Sequence, residues 1–311
     1  MSIHALVLNY NGLELLKECL PSVWEACQSS PLPCALSVLD NCSQDGSRAW
    51  LAENFPEVGW IDAPENRILF SYNAALEKIS EPLVLLLNND IKVKKHFIAP
   101  LLRRLQAEPE AFCASPLHLD FNGVYNGGMN RCGFRLSLPW AGPGYRGAAE
   151  EAKISGETLF TGNGLFRREK ILALGGFDPL FEPMGWEDCD LGTRAWLRGW
   201  PSLYEPESVI YHKSSASISK AYARSQRDTL GFRNAFIWFY ANLASPARLM
   251  RFAALLPLTL LLFLLTGRFS QWRGFWASLP RLGKALARRR RERNTDAMSG
   301  GELLLKFKGS R

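Results

Sequence analysis

The chain has 311 residues, 47% of them hydrophobic, which is enough for one large domain with an appendage or for two small domains. Its net charge of +7 is unevenly placed, because residues 246–311 contain 14 Lys/Arg and three Asp/Glu while residues 1–245 are slightly acidic. The seven cysteines form no CxxC pair and are odd in number, which disfavours a zinc ribbon or a secreted disulfide framework and favours a reducing compartment.

The first 90 residues alternate between buried-strand patterns and amphipathic-helix patterns. Strands are predicted at 3–10, 35–41, 58–64 and 82–90, and helices at 13–27, 46–55 and 71–79. The opening segment has no basic start, so we expect it to form the first strand and not a signal peptide. This order predicts an α/β fold with a mostly parallel central sheet and helices on both faces.

Polar residues follow three of these strands. They are Asn9 and Tyr10 after the first strand, Asp40 after the second, and Asn88, Asn89 and Asp90 after the fourth. Asn and Asp are ordinary turn formers, which is the alternative explanation for each of them taken alone. Because ligands of such sheets bind beyond the carboxyl ends of the strands, their coincidence at one edge predicts a binding site there.

Two later segments limit the choice of function. The string "GNGLFR" at 162–167 lacks the third glycine of a dinucleotide fingerprint and precedes a strand-like stretch, which disfavours NAD-dependent and P-loop chemistry. Residues 113–156 form a Gly-rich, aromatic stretch that includes Trp140 and Tyr145. Its pattern fits a mobile cover over a substrate or an antiparallel hairpin with glycine turns.

Six strings occur in the order and approximate spacing of a known family. They are "ALVLNYNG", "VLDNCSQDGS", "LVLLLNND", "TGNGLFRREKILALGGFDPLF", "GWEDCDLGTRAWLRGW" and "VIYHKSSAS". Across residues 3–217 the chain resembles the family 2 glycosyltransferases, in particular their bacterial rhamnosyltransferase-like branch. The resemblance implies an inverting enzyme of the GT-A fold, with a nucleotide-sugar donor.

The resemblance also implies a donor site that contains a divalent metal ion, Mg²⁺ or Mn²⁺. Asp90 occupies the last position of the family's DXD-type motif, although the triplet here is Asn88-Asn89-Asp90 and lacks one carboxylate. His212 would approach the diphosphate or complete the metal shell, or it is a structural histidine. Asp40 would contact the nucleobase, or it caps the turn that follows it. The donor side would be lined by Asn9, Tyr10, Asp40, Asn66, Asn88 and Asn89, although Asn66 is not followed by the family's usual glycine.

The segment "GWEDCDLGTR" places three carboxylates at the start of a helix. By resemblance, Asp188 is the general base that removes the proton of the acceptor hydroxyl. Glu187 and Asp190 would orient Asp188 or bind the acceptor, and the crowded like charges are expected to raise the pKa of Asp188. Trp186 would stack on a sugar or pack in the core. The alternative for the acids is that they only complement the helix dipole.

The basic tail contains an uncharged stretch of 16 residues, 252–267. As a helix it would be ~24 Å long, short of the ~30 Å hydrocarbon core, so we expect it to dip into a membrane or lie on it. Residues 281–293 would then bind anionic lipid, and the aromatic residues 229–243 would also be interfacial. A buried helix with a solvated basic tail is the alternative. We also expect that 246–311 can be removed without loss of the folded protein.

These observations predict a catalytic domain at 1–217 and a helical, membrane-associating region at 218–311. The predicted function is transfer of a sugar to a glycan or lipid-linked acceptor in cell-surface polysaccharide assembly, at the cytoplasmic face of the membrane. No nucleic acid partner is expected. The alternatives are a sugar nucleotidyltransferase and an inactive nucleotide-sugar or glycan-binding membrane adaptor.

Overall fold

A computed structural model describes residues 1–213 and 222–309. Its first 90 residues alternate strands and helices as predicted. The elements are β1 (Ile3–Asn9), α1 (Leu13–Gln28), β2 (Cys34–Asp40), α2 (Ser47–Asn54), β3 (Gly59–Asp62), α3 (Ser71–Lys78) and β4 (Leu83–Asn88). The strands β3, β2, β1 and β4 are neighbours in that order and pair in parallel, which confirms the predicted α/β fold.

The rest of the chain widens this sheet with antiparallel and parallel strands. The elements are β5 (Ile91–Val93), α4 (Ile98–Ala107), β6 (Cys113–Leu119), β7 (Tyr125–Gly127), β8 (Arg131–Arg135), β9 (Leu138–Gly142), α5 (Ala148–Glu151), β10 (Gly156–Glu157), β11 (Gly164–Arg167), α6 (Arg168–Ala173), α7 (Glu187–Leu197) and β12 (Ser202–His212). The strand β11 lies between β4 and β6 and is antiparallel to both, whereas β12 is parallel to β6. The central sheet is therefore mixed beyond β4, whereas β8 and β9 form a separate two-stranded sheet.

The Gly-rich segment 113–156 contains an antiparallel hairpin. Strands β8 and β9 pair in register from Arg131 opposite Gly142 to Arg135 opposite Leu138. Trp140 of β9 and Tyr145 are both buried, because they pack with Ala148 and Tyr125 in a small apolar cluster. Of the two interpretations drawn from the sequence, the structure shows the hairpin.

Among the described residues, the sheet is followed by the α-helices α8 (Arg224–Trp238), which continues as a π-helical turn to residue 243, α9 (Pro246–Leu265), α10 (Phe269–Glu292) and α11 (Gly300–Lys306). Their apolar residues join those of the sheet and of α7 in one core cluster. In it Trp238 packs on Trp186 and Phe307 on Trp196. The tail is therefore part of the fold and not a removable appendage, while the domain division at 217 stays a prediction.

Two expectations about the tail need correction. Residues 235–241 are fully buried, so the aromatic stretch at 229–243 is largely core and not an interfacial surface. In the basic stretch, the side chains of Arg288 and Arg289 are buried in ion pairs with Asp190 and Asp296. Such internal pairing makes these two cations unavailable to lipid.

Helix α9 is longer than the uncharged stretch that the sequence shows. It runs through Pro257 for 20 residues, ~30 Å, so that among the described residues it is a helix long and apolar enough to cross a membrane. Most of it is exposed, including Leu258, Leu261 and Leu265. The structure thus corrects the predicted length, whereas membrane contact stays a prediction.

Candidate active site

The polar residues predicted to share one edge of the sheet do lie together. In the parallel register Asn9 of β1 is opposite Asp40 of β2, and Leu8 is opposite Asn88 of β4. All three strands therefore end at the same level. The side chains that follow them meet in a cluster at the carboxyl edge.

A chain of hydrogen bonds ties this cluster together. Asn9 donates from Nδ2 to Asp40 Oδ1 at 3.0 Å and accepts at Oδ1 from Asn89 Nδ2 at 2.7 Å. The carboxylate of Asp40 is buried and also accepts the Ser43 backbone N–H at 2.7 Å. This is the turn-capping role left open by the sequence. A contact between Asp40 and a nucleobase stays a prediction.

The other predicted donor-side residues differ in exposure. The Tyr10 ring is 39% exposed, so an aromatic face is open to a ligand at the end of β1. Asn66 is exposed, and its Oδ1 accepts the backbone N–H of Ile68 at 3.1 Å. Asn88 donates its backbone N–H to Asn163 Oδ1 at 3.1 Å. Tyr10 and Asn66 are therefore accessible from solvent, whereas Asn88 is bound through its backbone to Asn163.

Asp90 and His212 are brought together by the pairing of β12 with β5. His212 lies opposite Ile91, the residue after Asp90, and the Lys213 backbone N–H donates to the Asp90 carbonyl oxygen at 3.0 Å. His212 Nε2 and Asp90 Oδ1 are 3.2 Å apart, yet they are not aligned as a hydrogen bond, and the buried Asp90 Oδ1 has no partner among the described residues.

This pair fits a divalent cation. An unpartnered buried carboxylate oxygen is costly unless a donor or a metal ion approaches it, and the imidazole nitrogen beside it is a second suitable ligand. No group of three or more His, Cys, Asp and Glu side chains in residues 1–213 and 222–309 is placed to hold a metal. The remaining ligands would therefore have to be phosphate oxygens or water, as is usual for Mg²⁺.

The loop before β11 joins this cluster to the start of α7. A Cβ atom added to Gly162 would lie 3.0 Å from Asp188 Oδ2, so the glycine backbone lies directly against that carboxylate. The next residue, Asn163, holds Asn88 two residues before Asp90. This loop therefore contacts both the predicted base and the strand end that precedes the predicted metal ligand.

Glu187 and Asp188 differ in their surroundings. Glu187 is 4% exposed, and its Oε2 has no hydrogen-bond partner in the described chain, whereas Asp188 is partly exposed and accepts the Cys189 backbone N–H at 2.7 Å. Burial and the charge of Asp188 raise the pKa of Glu187 well above its usual range. Burial also raises the pKa of Asp188, so the predicted direction is confirmed, but the cause is burial and not the like charges on which the prediction was based.

The third carboxylate of the segment has a different role from the one predicted. Asp190 is fully buried and accepts hydrogen bonds from Arg194 at 2.7 Å, Arg288 at 2.6 Å and Asn242 at 2.8 Å. Arg288 also donates to Asp178 at 2.5 Å. Asp190 therefore faces the C-terminal helices, and it neither orients Asp188 directly nor offers a free carboxylate to an acceptor.

The remaining residue of interest before α7 is Trp186. It has a left-handed backbone conformation, φ 73°, and its ring lies 5.3 Å from that of Trp238 with a tilted geometry. Trp186 also lines a cavity of about 680 Å³ between the hairpin and helices α8 and α9. It therefore packs on the core with one part and faces open space with another.

Comparison with protein families agrees with this geometry. The family described as "Glycosyl transferase family 2" matches residues 5–174, which is more than half of the chain. The chain belongs to glycosyl transferase family 2. A second model, "Glycosyl transferase family group 2", matches residues 151–284 and so continues across the predicted domain boundary.

The curated relatives of this glycosyltransferase include N-acetylglucosaminyl-diphospho-decaprenol L-rhamnosyltransferase of Mycobacterium tuberculosis. It is 27% identical over 222 residues, which cover 60% of this chain and 69% of the relative.

Solved structures show the same GT-A fold at low identity. They include GalNAc-T7 with UDP, GalNAc and Mn²⁺ (16% identity, TM-score 0.58) and S. aureus TarS 1-349 (15%, 0.54). A mannosyltransferase from Pyrobaculum calidifontis with GDP-Man and Mn²⁺ is 19% identical, with a TM-score of 0.54. The matches cover 78%, 80% and 98% of this chain and 48%, 68% and 78% of those chains. This chain therefore spans about half the length of GalNAc-T7.

Proposed function

We propose that this glycosyltransferase is an inverting enzyme, which transfers a sugar from a nucleoside-diphosphate donor to a hydroxyl of a lipid-linked or glycan acceptor in cell-surface polysaccharide synthesis. The rhamnosyltransferase relative has a name that specifies a lipid-diphosphate acceptor, and structural neighbours bind nucleotide sugars. Because the chain belongs to this family, we prefer a glycosyltransferase to the two alternatives, a sugar nucleotidyltransferase and an inactive adaptor.

The observation that carries the proposal is the position of Asp188 against Gly162. An inverting transfer needs a base on the side of the anomeric carbon opposite the departing nucleotide. Gly162 lies against the Asp188 carboxylate, and the next residue, Asn163, accepts a hydrogen bond from the Asn88 backbone N–H at the end of β4, so this loop contacts both Asp188 and a strand end. A sugar above this loop would have the base on one side and its diphosphate on the other.

Asp188 is also the better base of the two adjacent carboxylates. Glu187 is buried and retains its proton to higher pH than an ordinary carboxyl, so it does not compete for the acceptor proton. Asp188 is the more exposed member, and its raised pKa makes it a stronger base than a solvated aspartate. It would take the proton of the acceptor hydroxyl as that oxygen bonds to the anomeric carbon.

The donor diphosphate would be bound near Asp90 and His212, which fit a Mg²⁺ or Mn²⁺ ion as described above. When bound, such an ion would offset the negative charge that develops on the leaving nucleoside diphosphate. Asn9, Asn89 and Asp40 form the buried frame beneath this site, and the open ring of Tyr10 is available to the nucleobase.

The same proposal places the enzyme at the cytoplasmic face of a membrane. The exposed leucines of α9 offer an apolar face, and Arg290, Arg291 and Arg293 remain exposed near the end of α10 and just beyond it. Apolar insertion and attraction to anionic lipid would act together there.

The test compares Asp188→Asn with Glu187→Gln. Loss of the general base should reduce turnover by about 10²–10⁴-fold in Asp188→Asn. Donor affinity should stay unchanged, because the donor is held by the strand-end cluster. Glu187→Gln should retain most turnover, since a neutral amide resembles the protonated carboxyl. Transfer rates and donor affinities of both variants decide the matter.

Two results would contradict the assignment. An active Asp188→Asn beside an inactive Glu187→Gln would show that Glu187 is the base. Near wild-type turnover in both variants would mean that the base lies elsewhere and that these acids only complement the dipole of α7.

A further inference from the structure

A cavity of about 680 Å³ lies beside the catalytic helix and is not part of the donor site. Its walls are the hairpin β8–β9, one face of α8, the second half of α9 and the start of α10. The volume is typical of a site for an organic ligand. The lining is mainly apolar and includes Leu138, Phe232, Leu262 and Phe263.

Three arginines are among the residues that line this apolar cavity: Arg135, Arg227 and Arg268. Arg135 and Arg268 are exposed, and Arg227 has a buried Nε atom without a hydrogen-bond partner in the described chain. Asp228 lines the cavity as well, so a net positive charge remains. Several arginines around an apolar space indicate a ligand that has both an anionic group and a hydrocarbon part.

The cavity connects two parts of the molecule. Its lining includes Trp186, which precedes the Glu187-Asp188 pair. Its lining also includes Leu262 and Phe263 of α9, the helix whose leucines are largely exposed. A ligand lying along the cavity would therefore reach from an apolar surface to the start of α7.

We propose that this cavity binds the diphosphate and the first hydrocarbon units of a lipid-linked acceptor. The arginines would bind the two phosphates, the apolar wall would hold the chain, and the acceptor sugar would lie near Trp186 within reach of Asp188. The inference rests on the proposed transfer to a hydroxyl acceptor. The donor diphosphate is bound elsewhere, because its site is built from the ends of β1, β2 and β4.

The probe for this site is farnesyl diphosphate, titrated calorimetrically into the full-length protein in a neutral detergent. The triple variant Arg135→Gln/Arg227→Gln/Arg268→Gln should bind it about 10- to 100-fold more weakly, as expected for loss of charge-assisted hydrogen bonds. The double variant Arg135→Gln/Arg268→Gln, which changes only exposed side chains, should show a smaller loss in the same direction. Arg273→Gln is the matched control, because Arg273 is exposed on α10 outside the cavity.

A second pair of variants tests the apolar wall. Leu262→Gln should weaken binding of farnesyl diphosphate and leave binding of inorganic pyrophosphate unchanged. Leu265→Gln should change neither, since Leu265 is 73% exposed on the same helix and does not line the cavity.

Several outcomes would overturn the inference. One is wild-type affinity for farnesyl diphosphate in both arginine variants. Others are pyrophosphate binding as tight as that of farnesyl diphosphate, which would indicate a site for free phosphate, and equal competition by phosphatidylglycerol, which would indicate a general lipid site. The proposed function is assayed separately by release of nucleoside diphosphate from sugar nucleotides, so its failure would leave these binding results interpretable.

Discussion

Replacement of Arg288 by glutamine tests how the C-terminal helices stabilise helix α7. Arg288 is 5% exposed and donates from Nη2 to Asp190 Oδ1 at 2.6 Å and from Nη1 to Asp178 Oδ2 at 2.5 Å. Nη2 also donates to Asn242 Oδ1 at 3.1 Å. The shorter amide of glutamine cannot maintain these contacts, so α10 would lose its ionic link to α7.

The magnitude follows from what remains around Asp190. Removing one partner of a buried ion pair costs about 3–5 kcal/mol, because the other charge stays buried. Asp190 retains Arg194 at 2.7 Å and Asn242 at 2.8 Å, which places the expected loss near the lower end, about 3 kcal/mol. A typical domain has only about 5–15 kcal/mol of stability, so the effect should be large.

The assay is urea unfolding followed by the fluorescence of the ten tryptophans. Arg290→Gln is the matched control, since Arg290 is exposed on the same helix and should change stability by no more than about 0.5 kcal/mol. A loss in Arg288→Gln no larger than that of the control would refute the structural role of the buried pair.

The pH dependence of the same difference gives an independent check. Burial alone would raise the pKa of Asp190, but the Arg288 and Arg194 cations lower it from its usual 3.8 to about 2. Because the native pKa lies below the unfolded one, the stabilisation is complete above about pH 4 and is lost as the pH falls towards 2. The difference between wild type and Arg288→Gln should therefore narrow over that range, and a constant difference would contradict the ionic explanation.

Two further predictions concern the metal and the membrane. Asp90→Ala should abolish metal-dependent binding of a nucleoside diphosphate without unfolding the protein, because Asp90 Oδ1 has no hydrogen bond to lose within residues 1–213 and 222–309. Unchanged affinity in a titration with Mn²⁺ would remove Asp90 from the metal site. The full-length protein should sediment with phosphatidylglycerol vesicles. A smaller fraction should sediment when Leu258 and Leu265 are both changed to glutamate. Binding of the full-length protein that is equally strong at high salt would show that electrostatic attraction plays no part.

The sequence by itself was sufficient to predict the parallel strands of the sheet and the cluster of polar side chains at their carboxyl ends. Strand and helix periodicity are local properties, and the carboxyl ends of parallel strands meet at one edge wherever the strands pair. Asn9, Asp40 and Asn89 could therefore be placed together without coordinates. The family-like strings likewise pointed to Asp188 and Glu187 at the start of a helix.

Only the tertiary structure shows which contacts Gly162, Asn163 and Arg288 make in and around the candidate active site. In the sequence, "GNGLFR" appeared as a failed dinucleotide motif and as part of a longer family-like string, and neither assigned a role to Gly162 or Asn163, although these two residues contact Asp188 and the end of β4. Arg288, one of the hydrogen-bond partners of Asp190, is 98 residues away from it. It lies in an arginine-rich stretch whose composition predicts a lipid-binding surface. Charge composition cannot distinguish a buried arginine from a solvated one, because the difference depends on which helix packs against it. For the same reason, the apolar cavity with its three arginines has no signature in the sequence.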